Sequence, residues 1–318
     1  MEMKQDYSDL TPETILSAME QLGYTVSGRM LALNSYENRV YRIDVEDGEA
    51  IISKFYRPQR WSNRAIKEEH CFALELAEQE IPVVAPMVID GESLFEHSGY
   101  RYSVYPLRGG RWPDLESADD LNWMGRFIAR IHNVGRTSLF KDRNQIEINR
   151  MGNDSVLYLI ENRFIPDHLE VSYQTLVDDL LKEIHTAFDR CGNYQTIRLH
   201  GDCHRSNVLW TDDGPHFVDL DDCCNGPAIQ DLWMLLSGDR SEMTQQLCDL
   251  LEGYEEFASF DHGELLLIEA LRTLRMMHYA AWLARRWQDP AFPLAFPWFN
   301  SNQYWEQHVL ELREQLSR

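Results

Sequence analysis

The chain has 318 residues, of which 44% are apolar, so it is long enough for one large or two smaller domains with a sizeable buried core. Its formal net charge of −22 makes nucleic acid and anionic membrane surfaces poor partners, although it does not identify a substrate. No apolar run approaches the ~18 residues that a membrane-spanning helix needs, and residues 1–7 lack the basic-then-apolar order of a signal peptide, so we expect a cytoplasmic protein without membrane insertion.

The first part of the sequence predicts a helix followed by a strand hairpin. Residues 11–13, Thr-Pro-Glu, are a favourable helix start. Residues 40–45 then alternate in polarity, residues 47–48 (Asp-Gly) predict a tight turn, and residues 50–56 form the returning strand. Lys54 lies near the end of that strand, where a lysine can reach the α- and β-phosphates of ATP.

The segment after the hairpin predicts the helix that holds this lysine in place. Residues 62–78 have apolar positions at three- and four-residue steps. One face of the helix consists of Ile66, Glu69, Ala73 and Leu76. Glu69 therefore points in the direction that a partner of Lys54 must take, and we predict an ion pair between them. Glu68 is the alternative partner.

A proline–glycine cluster predicts the hinge between two lobes. Strand-like runs near residues 87–89 and 100–105 lead to the sequence Pro-Leu-Arg-Gly-Gly at residues 106–110. A nucleotide base that binds between two lobes can hydrogen-bond to the backbone of the hinge. Tyr105 and Leu107 are therefore candidate neighbours of such a base.

Beyond the hinge the pattern becomes helical. Apolar residues with helical spacing occur within residues 121–131, 171–188 and 264–287. Between the last two, residues 208–218 predict a hairpin whose turn is Asp-Asp-Gly at residues 212–214.

The most informative segment is LHGDCHRSNVLW at residues 199–210, followed by Phe-Val-Asp at residues 217–219. It places Asp202, then Asn207 five residues later, and Asp219 twelve residues beyond that. A nucleotide kinase needs this order, because one carboxylate orients and deprotonates the attacking hydroxyl while an amide and a second carboxylate hold magnesium. Mg²⁺ keeps few protein ligands and leaves positions for phosphate oxygens, so one Asn and one Asp are sufficient.

These segments together resemble the bacterial stress response kinase A family, which belongs to the aminoglycoside-phosphotransferase-like branch of the protein-kinase fold. The resemblance runs over nearly the whole chain, and the residues that carry it are 34–41, 54–58, 200–204, 218–222, 230–236 and 281–287. It implies an α+β, bilobal protein-kinase-like fold, with a small β-rich N-lobe at residues 1–107 and a larger, mainly helical C-lobe at residues 108–318. It also implies that ATP and Mg²⁺ are the cofactors. The γ-phosphoryl group of ATP would be transferred to Ser and Thr hydroxyls of proteins, including those of the kinase itself, in an envelope stress response. We expect a monomer.

Carried over residue by residue, the resemblance implies a role for each site residue. Asp202 is the proton acceptor, and Asn207 and Asp219 are the magnesium ligands, with Asp219 also counted as catalytic. Ser35 lies on the loop that covers ATP. Protein kinases usually have a glycine-rich loop there, but residues 34–40 contain no glycine, so the Ser35 hydroxyl and backbone N–H groups would meet the phosphates instead.

Other polar residues near these motifs favour structural roles. His132 and His200 are more typical of hydrogen-bonded core histidines than of acids or bases, whereas His204 is equally compatible with structure and with contact to substrate. Asp231 lies at the start of an apolar helical stretch. It is interpreted either as a carboxylate that stabilises the start of that helix or as a side chain that holds the backbone of the catalytic loop in place, and both roles are structural.

Three further side chains beside the motifs have simple interpretations. The six cysteines form no C-x-x-C pair, which argues against a zinc site or a disulfide framework, and Cys203 is expected to fill space rather than to act as a redox thiol. Asp221 and Asp222 favour a solvated acidic turn over a further metal site.

The principal alternative is a small-molecule kinase for a choline-, homoserine- or aminoglycoside-like alcohol. Only eleven residues separate Asp219 from Asp231, which leaves no room for the long activation segment that regulated protein kinases use as a peptide platform. A pseudokinase would be marked by loss of a key residue, and it is disfavoured by the presence of Lys54, Asp202, Asn207 and Asp219. A two-metal phosphoesterase is disfavoured because the upstream Asp-x-His and the later Gly-Asn-His elements are absent from the sequence.

Overall fold

The computed structural model describes residues 6–46, 48–212 and 214–317. Residues 1–5, which begin the segment considered for a signal peptide, and the predicted turn residues Asp47 and Asp213 lie outside the described residues. Within the described ranges, no helix is both long enough and apolar enough to cross a membrane.

The first lobe is built on a five-stranded antiparallel sheet. Its strands in chain order are β1 (Val26–Ala32), β2 (Arg39–Val45), β3 (Ile51–Phe55), β4 (Phe95–His97) and β5 (Tyr100–Pro106). Their order in the sheet is β1-β2-β3-β5-β4. The strands predicted at residues 40–45 and 50–56 are confirmed as β2 and β3, and Val40 lies opposite Lys54 in their pairing.

The strand predicted near residues 87–89 is wrong, because the outer strand of the sheet at this edge is β4. β4 joins β5 through Ser98 and Gly99, whose positive φ angles of 51° and 82° are those of a two-residue hairpin turn. Residues 87–89 contribute one backbone hydrogen bond to β5, from the N–H of Met87 (2.7 Å). Pro86, which has no N–H to donate to a strand ladder, comes directly before this stretch.

Two helices accompany the sheet and begin where the sequence predicts them. They are α1 (Pro12–Gln21) and α2 (Asn63–Glu78). Thr11 and Ser62 are their N-caps, and the two hydroxyls accept backbone N–H groups at 3.3 and 3.1 Å. α1 packs against the sheet, whereas Phe72 and Leu76 of α2 belong to the main buried cluster of the second lobe. α2 therefore packs into the core of the second lobe.

The second lobe is mainly helical. Its helices are α3 (Ala118–Gly135), α4 (Asp154–Glu161), α5 (Asp167–Cys191), α6 (Ile229–Trp233), α7 (Arg240–Glu255), α8 (Ile268–Arg285), α9 (Ala291–Ala295) and α10 (Asn302–Leu316). Two strand pairs, β6–β9 and β7–β8, are formed by β6 (Ile197–Leu199), β7 (Val208–Thr211), β8 (Gly214–Phe217) and β9 (Cys224–Gly226). The two-lobed α+β architecture predicted from the sequence is confirmed.

Most of the predicted elements of this lobe are confirmed. The helices predicted at residues 121–131 and 171–188 lie within α3 and α5, and the hairpin predicted at residues 208–218 is the β7–β8 pair. The long helix predicted at residues 264–287 is only partly correct, because His262–Leu267 is a 3-10 helix that precedes α8.

The position of β6 depends on the close approach of α3. A Cβ added to Gly135, at the end of α3, would lie 2.2 Å from the backbone oxygen of Arg198 in β6. Only glycine allows the two backbones to come so close. β6 leads directly into residues 200–207, the candidate catalytic segment, so this contact helps to position that segment.

Candidate active site

A cavity of about 370 Å³ lies between the two lobes, a volume typical of small-molecule sites. Five of the six residues that the sequence predicts for the site line it: Ser35, Lys54, Glu69, Asn207 and Asp219. The sixth, Asp202, lies directly behind Asn207, whose Nδ2 donates to the Asp202 backbone oxygen at 3.0 Å. The candidate hinge residues Tyr105 and Leu107 also line the cavity.

Lys54 lies at the centre of a group of carboxylates. Its Nζ is 3.1 Å from Oδ1 of Asp221 and 3.3 Å from both Oε1 of Glu69 and Oδ1 of Asp219. Burial alone would lower the pKa of Lys54, but the three surrounding carboxylates hold that pKa well above its ordinary value. The ammonium group therefore stays charged at neutral pH.

Glu69 contacts Lys54, whereas the alternative partner Glu68 has a different role. The carboxylate of Glu68 accepts hydrogen bonds from the backbone N–H groups of residues 141–143 at 2.8, 2.8 and 3.0 Å. Successive residues of an α-helix point about 100° apart, so the two neighbouring glutamates of α2 face different parts of the molecule. Glu68 is excluded as the partner of Lys54.

The interpretation of Asp221 as part of a solvated acidic turn is wrong. Asp221 is 3% exposed and pairs with both Lys54 and Arg60, while Arg143 donates to its backbone oxygen. The side chain of Asp222, which also pairs with Arg60, is 53% exposed and fits the solvated interpretation better. The sequence contains no local signal for the buried ion pair between Arg60 and Asp221, because the two residues are 161 positions apart.

Asp202 lies in the segment between β6 and β7 and has partners on both carboxylate oxygens. Its Oδ1 is 2.7 Å from Nη1 of Arg275 on α8, and its Oδ2 is 3.3 Å from Nε2 of His204. Burial would raise the pKa of Asp202, but Arg275 and then His204 outweigh burial and hold it below its ordinary value. The sequence did not predict Arg275, because nothing in the pattern of α8 distinguishes it from other surface cations.

Asp231 ties down the backbone of the catalytic segment. Its carboxylate accepts the backbone N–H groups of His200 and Gly201, both at 2.8 Å, and lies 3.1 Å from Nε2 of His132. His132 is fully buried and also contacts the Tyr254 hydroxyl at 2.9 Å. Both residues therefore have the structural roles that the sequence favoured.

The two histidines of the catalytic segment differ in function. Nε2 of His200 lies 2.9 Å from the backbone oxygen of Val218, the residue before the second aspartate. Nδ1 of His204 accepts the N–H of Ser206 at 3.2 Å, while its Nε2 faces Asp202. His200 is thus structural, whereas His204 touches the candidate proton acceptor.

Asn207 and Asp219 form the part of the cleft that fits a divalent metal ion. Since Nδ2 of Asn207 donates to the Asp202 backbone, its amide oxygen is left as a ligand. The Asp219 side chain is 54% exposed, and its left-handed backbone (φ 59°, ψ 61°) is uncommon outside glycine and often found at functional sites. A carboxylate and an amide oxygen suit a hard cation such as Mg²⁺.

The loop that carries Ser35 is held in place by side chains. Asn38 is buried, and its Oδ1 accepts the backbone N–H of Arg57 at 3.0 Å. The Arg57 guanidinium donates to the backbone oxygens of Tyr36 and Glu37 at 3.1 and 2.9 Å. These contacts fix the loop with Ser35 at the wall of the cavity.

Cys203 has the environment of a space-filling residue. It is 1% exposed and belongs to the main buried cluster of the second lobe. Burial raises the pKa of its thiol well above the ordinary value, so the reactive thiolate is disfavoured. All six cysteines are free thiols.

This two-lobed fold, with its cleft and catalytic segment, defines a kinase of the phosphotransferase enzyme family. That family matches residues 30–268, a range that includes all six predicted site residues, and the chain belongs to it. More narrowly, the chain belongs to the stress response kinase A family. It is 45% identical to stress response kinase A of Escherichia coli O157:H7 over 97% of this chain and 93% of the relative. It is 44% identical, with the same coverage, to the serine/threonine protein kinase RdoA of Salmonella typhimurium (strain LT2).

Solved structures share the fold. The amicoumacin kinase hAmiN, solved in complex with AMP-PNP, Ca²⁺ and Ami, matches with a TM-score of 0.71 at 19% identity, over 94% of this chain and 93% of that chain. A microcompartment-associated aminopropanol kinase matches with a TM-score of 0.70 at 17% identity, over 95% of each chain. At such identities the similarity shows the fold alone, and it confirms the predicted bilobal protein-kinase-like architecture.

Proposed function

We propose that the chain is an ATP-dependent, Mg²⁺-requiring kinase that phosphorylates Ser and Thr hydroxyls of proteins, its own included. The observation that carries the proposal is the convergence of Lys54, Asn207 and Asp219 on one cleft, with Asp202 directly behind Asn207. The name of the relative RdoA supports a protein acceptor, and the names of the other relatives support a role in a stress response. Nucleotide and divalent-metal use is supported by the complex of amicoumacin kinase with AMP-PNP and Ca²⁺.

The residues around the cleft bind the adenine and the phosphates of ATP. Tyr105 and Leu107 offer hinge backbone groups to adenine. Lys54, held by Glu69, binds the α- and β-phosphates, since a buried ammonium with fixed partners is a point charge suited to phosphate oxygens. Ser35 donates its hydroxyl to the phosphates from the covering loop.

The catalytic segment acts on the acceptor. Asp202 accepts the proton of the attacking hydroxyl and directs its oxygen in line with the bond that breaks. Asn207 and Asp219 would hold Mg²⁺, which would supply positive charge against the negative charge that develops on the phosphate oxygens. Asp231 keeps the segment rigid through its two backbone hydrogen bonds. The residues thus contribute positioning and electrostatic stabilisation.

A small-molecule alcohol is the second candidate acceptor. The eleven residues between Asp219 and Asp231 form a 3-10 turn (Leu220–Asp222), strand β9 and the start of α6, which leaves no activation segment within them. These residues also contain no Ser, Thr or Tyr, so phosphorylation within them cannot switch the enzyme. An acceptor side without this platform suits a small alcohol as well as a peptide.

Transfer of label from radiolabelled ATP separates the two acceptors. The purified chain with Mg²⁺ is given casein, or a panel of choline, homoserine and kanamycin, and Asp202→Ala is measured alongside. We expect label on Ser and Thr of casein and of the kinase itself, and a loss of at least about 100-fold in Asp202→Ala with ATP binding retained. Labelling of an alcohol without any protein would establish the second candidate, and full turnover by Asp202→Ala would refute the assigned roles.

We also propose a lobe boundary at residues 107 and 108, a monomeric enzyme and a cytoplasmic location. β5 ends at Pro106, and residues 107–110 contain no helix or strand, which supports the boundary. The cytoplasm is the compartment that supplies ATP. Light scattering of the purified protein and fractionation of cells test the last two points, and a stable dimer or recovery with membranes would contradict them.

A further inference from the structure

The carboxylate of Asp202 is held between two separate parts of the second lobe. Its Oδ2 faces the catalytic segment, 3.3 Å from Nε2 of His204 and 3.5 Å from Nδ2 of Asn207. Its Oδ1 faces α8, where Nη1 of Arg275 is 2.7 Å away. The contact to Arg275 is the shortest of the three, and it comes from outside the catalytic segment.

Arg275 lies between Asp202 and a second cavity. That cavity has a volume of about 540 Å³, and its walls include Trp233, Arg272, Arg275 and Tyr279. The Arg275 side chain is 38% exposed. Its guanidinium therefore faces the open cavity on one side and the candidate proton acceptor on the other.

Stability does not explain this ion pair. α8 is anchored by Leu271, Leu274 and Met277, which are at most 1% exposed. An ion pair that includes a partly exposed group contributes little to folding, so α8 does not need Arg275 to stay in place. The pair does hold one of the two carboxylate oxygens of Asp202 against α8.

We propose that Arg275 is a positioning residue for phosphoryl transfer, which orients the Asp202 carboxylate toward the acceptor hydroxyl. This inference rests on the proposed role of Asp202 as proton acceptor. In that step the hydroxyl proton passes to Asp202, the hydroxyl oxygen bonds to the γ-phosphorus, and the bond from that phosphorus to the β–γ bridging oxygen breaks to release ADP. Arg275 acts through Asp202 and does not line the cavity between the lobes.

Three variants of the full-length chain test this role: Arg275→Ala, Arg275→Lys and Arg272→Ala. Arg272 is the matched control, because it lies one turn away on α8, lines the same cavity and pairs with Glu269 (3.2 Å) instead of Asp202. Initial rates with casein and Mg²⁺–ATP give kcat and the KM for ATP. Binding of a fluorescent ADP analogue with Mg²⁺ gives nucleotide affinity, and thermal unfolding shows whether each variant is folded.

We expect Arg275→Ala to lower kcat by about 10- to 100-fold, because a displacement of about 1 Å at a catalytic group costs on the order of 100-fold in rate. The KM for ATP and the affinity for the ADP analogue should stay within about twofold, since Arg275 does not line the cavity between the lobes. Arg275→Lys restores the positive charge and should recover kcat to within about fivefold of the parent chain. Arg272→Ala should stay within about twofold of the parent chain in all of these measurements.

A kcat for Arg275→Ala within about twofold of the Arg272→Ala control would overturn the inference. Parallel losses of kcat, nucleotide affinity and thermal stability would also overturn it, as would an Arg275→Lys variant as slow as Arg275→Ala. Asp202→Ala, measured alongside, separates the two proposals. Full turnover by Asp202→Ala refutes the proposed function, whereas an inactive Asp202→Ala beside an unimpaired Arg275→Ala refutes only the role of Arg275. If an alcohol and not casein is labelled, the same comparison is made with that alcohol.

Discussion

The carboxylate of Glu37 accepts a hydrogen bond from the indole Nε1 of Trp282, 2.7 Å away, although the two residues are 245 positions apart in the chain. The same carboxylate pairs with Arg286, and Arg57 pairs with Asp289 at 2.9 Å. The loop that carries Ser35 at the wall of the cavity is thus fastened to α8 and to the turn that follows it in the second lobe. The loop contains no glycine, and these side-chain contacts to the second lobe hold it in place.

Replacement of Glu37 by Gln tests this fastening, because it keeps the size of the side chain and removes its charge. The ion pairs with Arg57 and Arg286 are lost, and hydrogen bonds to charged groups contribute about 1.5–3 kcal/mol. We expect the KM for ATP to rise about tenfold, with a smaller effect on kcat. Initial-rate kinetics over a range of ATP concentrations measure this, with Glu78→Gln on the exposed face of α2 as control. An unchanged KM would show that the loop does not depend on this carboxylate.

Asp221 and Asp222 allow a comparison of a buried with an exposed carboxylate in the same turn. Asp221→Asn removes the buried charge that faces Lys54 and Arg60, whereas the Asp222 side chain is 53% exposed. Breaking a buried pair leaves an uncompensated charge and costs about 3–5 kcal/mol, while an exposed pair contributes about 0–1 kcal/mol. We expect the free energy of unfolding to fall much more in Asp221→Asn than in Asp222→Asn. Urea unfolding followed by tryptophan fluorescence measures both, and equal losses would contradict the burial argument.

The parts of the site that could be predicted from the sequence are those with local signals. β2, β3 and α2 follow from alternation, a turn and a cap that each span a few residues. The ion pair of Lys54 with Glu69 followed because a strand end and a helix face were both predicted. The order of Asp202, Asn207 and Asp219 followed from their spacing, and the structure brings Asn207 and Asp219 to one cleft with Asp202 behind Asn207.

The parts that could not be predicted depend on packing between distant elements. Arg60 and Arg275 reach the site from a loop and a helix that no local pattern connects to it. β4 has three residues, too few for an alternating pattern to stand out.

Gly201 and Gly23 test whether the catalytic segment requires a glycine. Both have positive φ, at 82° and 88°, but a Cβ on Gly201 would lie 2.3 Å from the backbone oxygen of Asp222, whereas Gly23 has open space around it. A left-handed conformation costs a non-glycine residue about 1–2 kcal/mol, so Gly23→Ala should lower the free energy of unfolding by that amount. Gly201→Ala should cost more and, by displacing Asp202, lower kcat at least about tenfold. Urea unfolding and initial rates measure these effects, and indistinguishable variants would mean that close packing at Gly201 is unimportant.

Glu264 couples pH to the stability of the helix that carries Asp231. Its carboxylate accepts a 2.9 Å hydrogen bond from the N–H of Ile229 at the start of α6, and the residue is 2% exposed. Burial raises the pKa of Glu264 from 4.5 to about 7. Because the folded protein binds this proton more tightly than the unfolded chain does, the resulting stabilisation is complete below pH 4.5 and is lost as the pH rises through about 7.

Replacement of Glu264 by Gln should therefore have an effect that depends on pH. Gln is neutral at every pH, and its side-chain oxygen can still accept the N–H of Ile229. We expect the variant to be more stable than the parent chain at about pH 8, by up to about 3 kcal/mol from the gap between the two pKa values, and the difference to shrink toward about pH 5. Urea unfolding at both pH values measures the difference, and Glu252→Gln, at an exposed position of α7, should show no such trend. If Glu264→Gln differs from the parent chain by the same amount at both pH values, Glu264 keeps an ordinary pKa in the folded protein, and the α6 contact does not respond to pH.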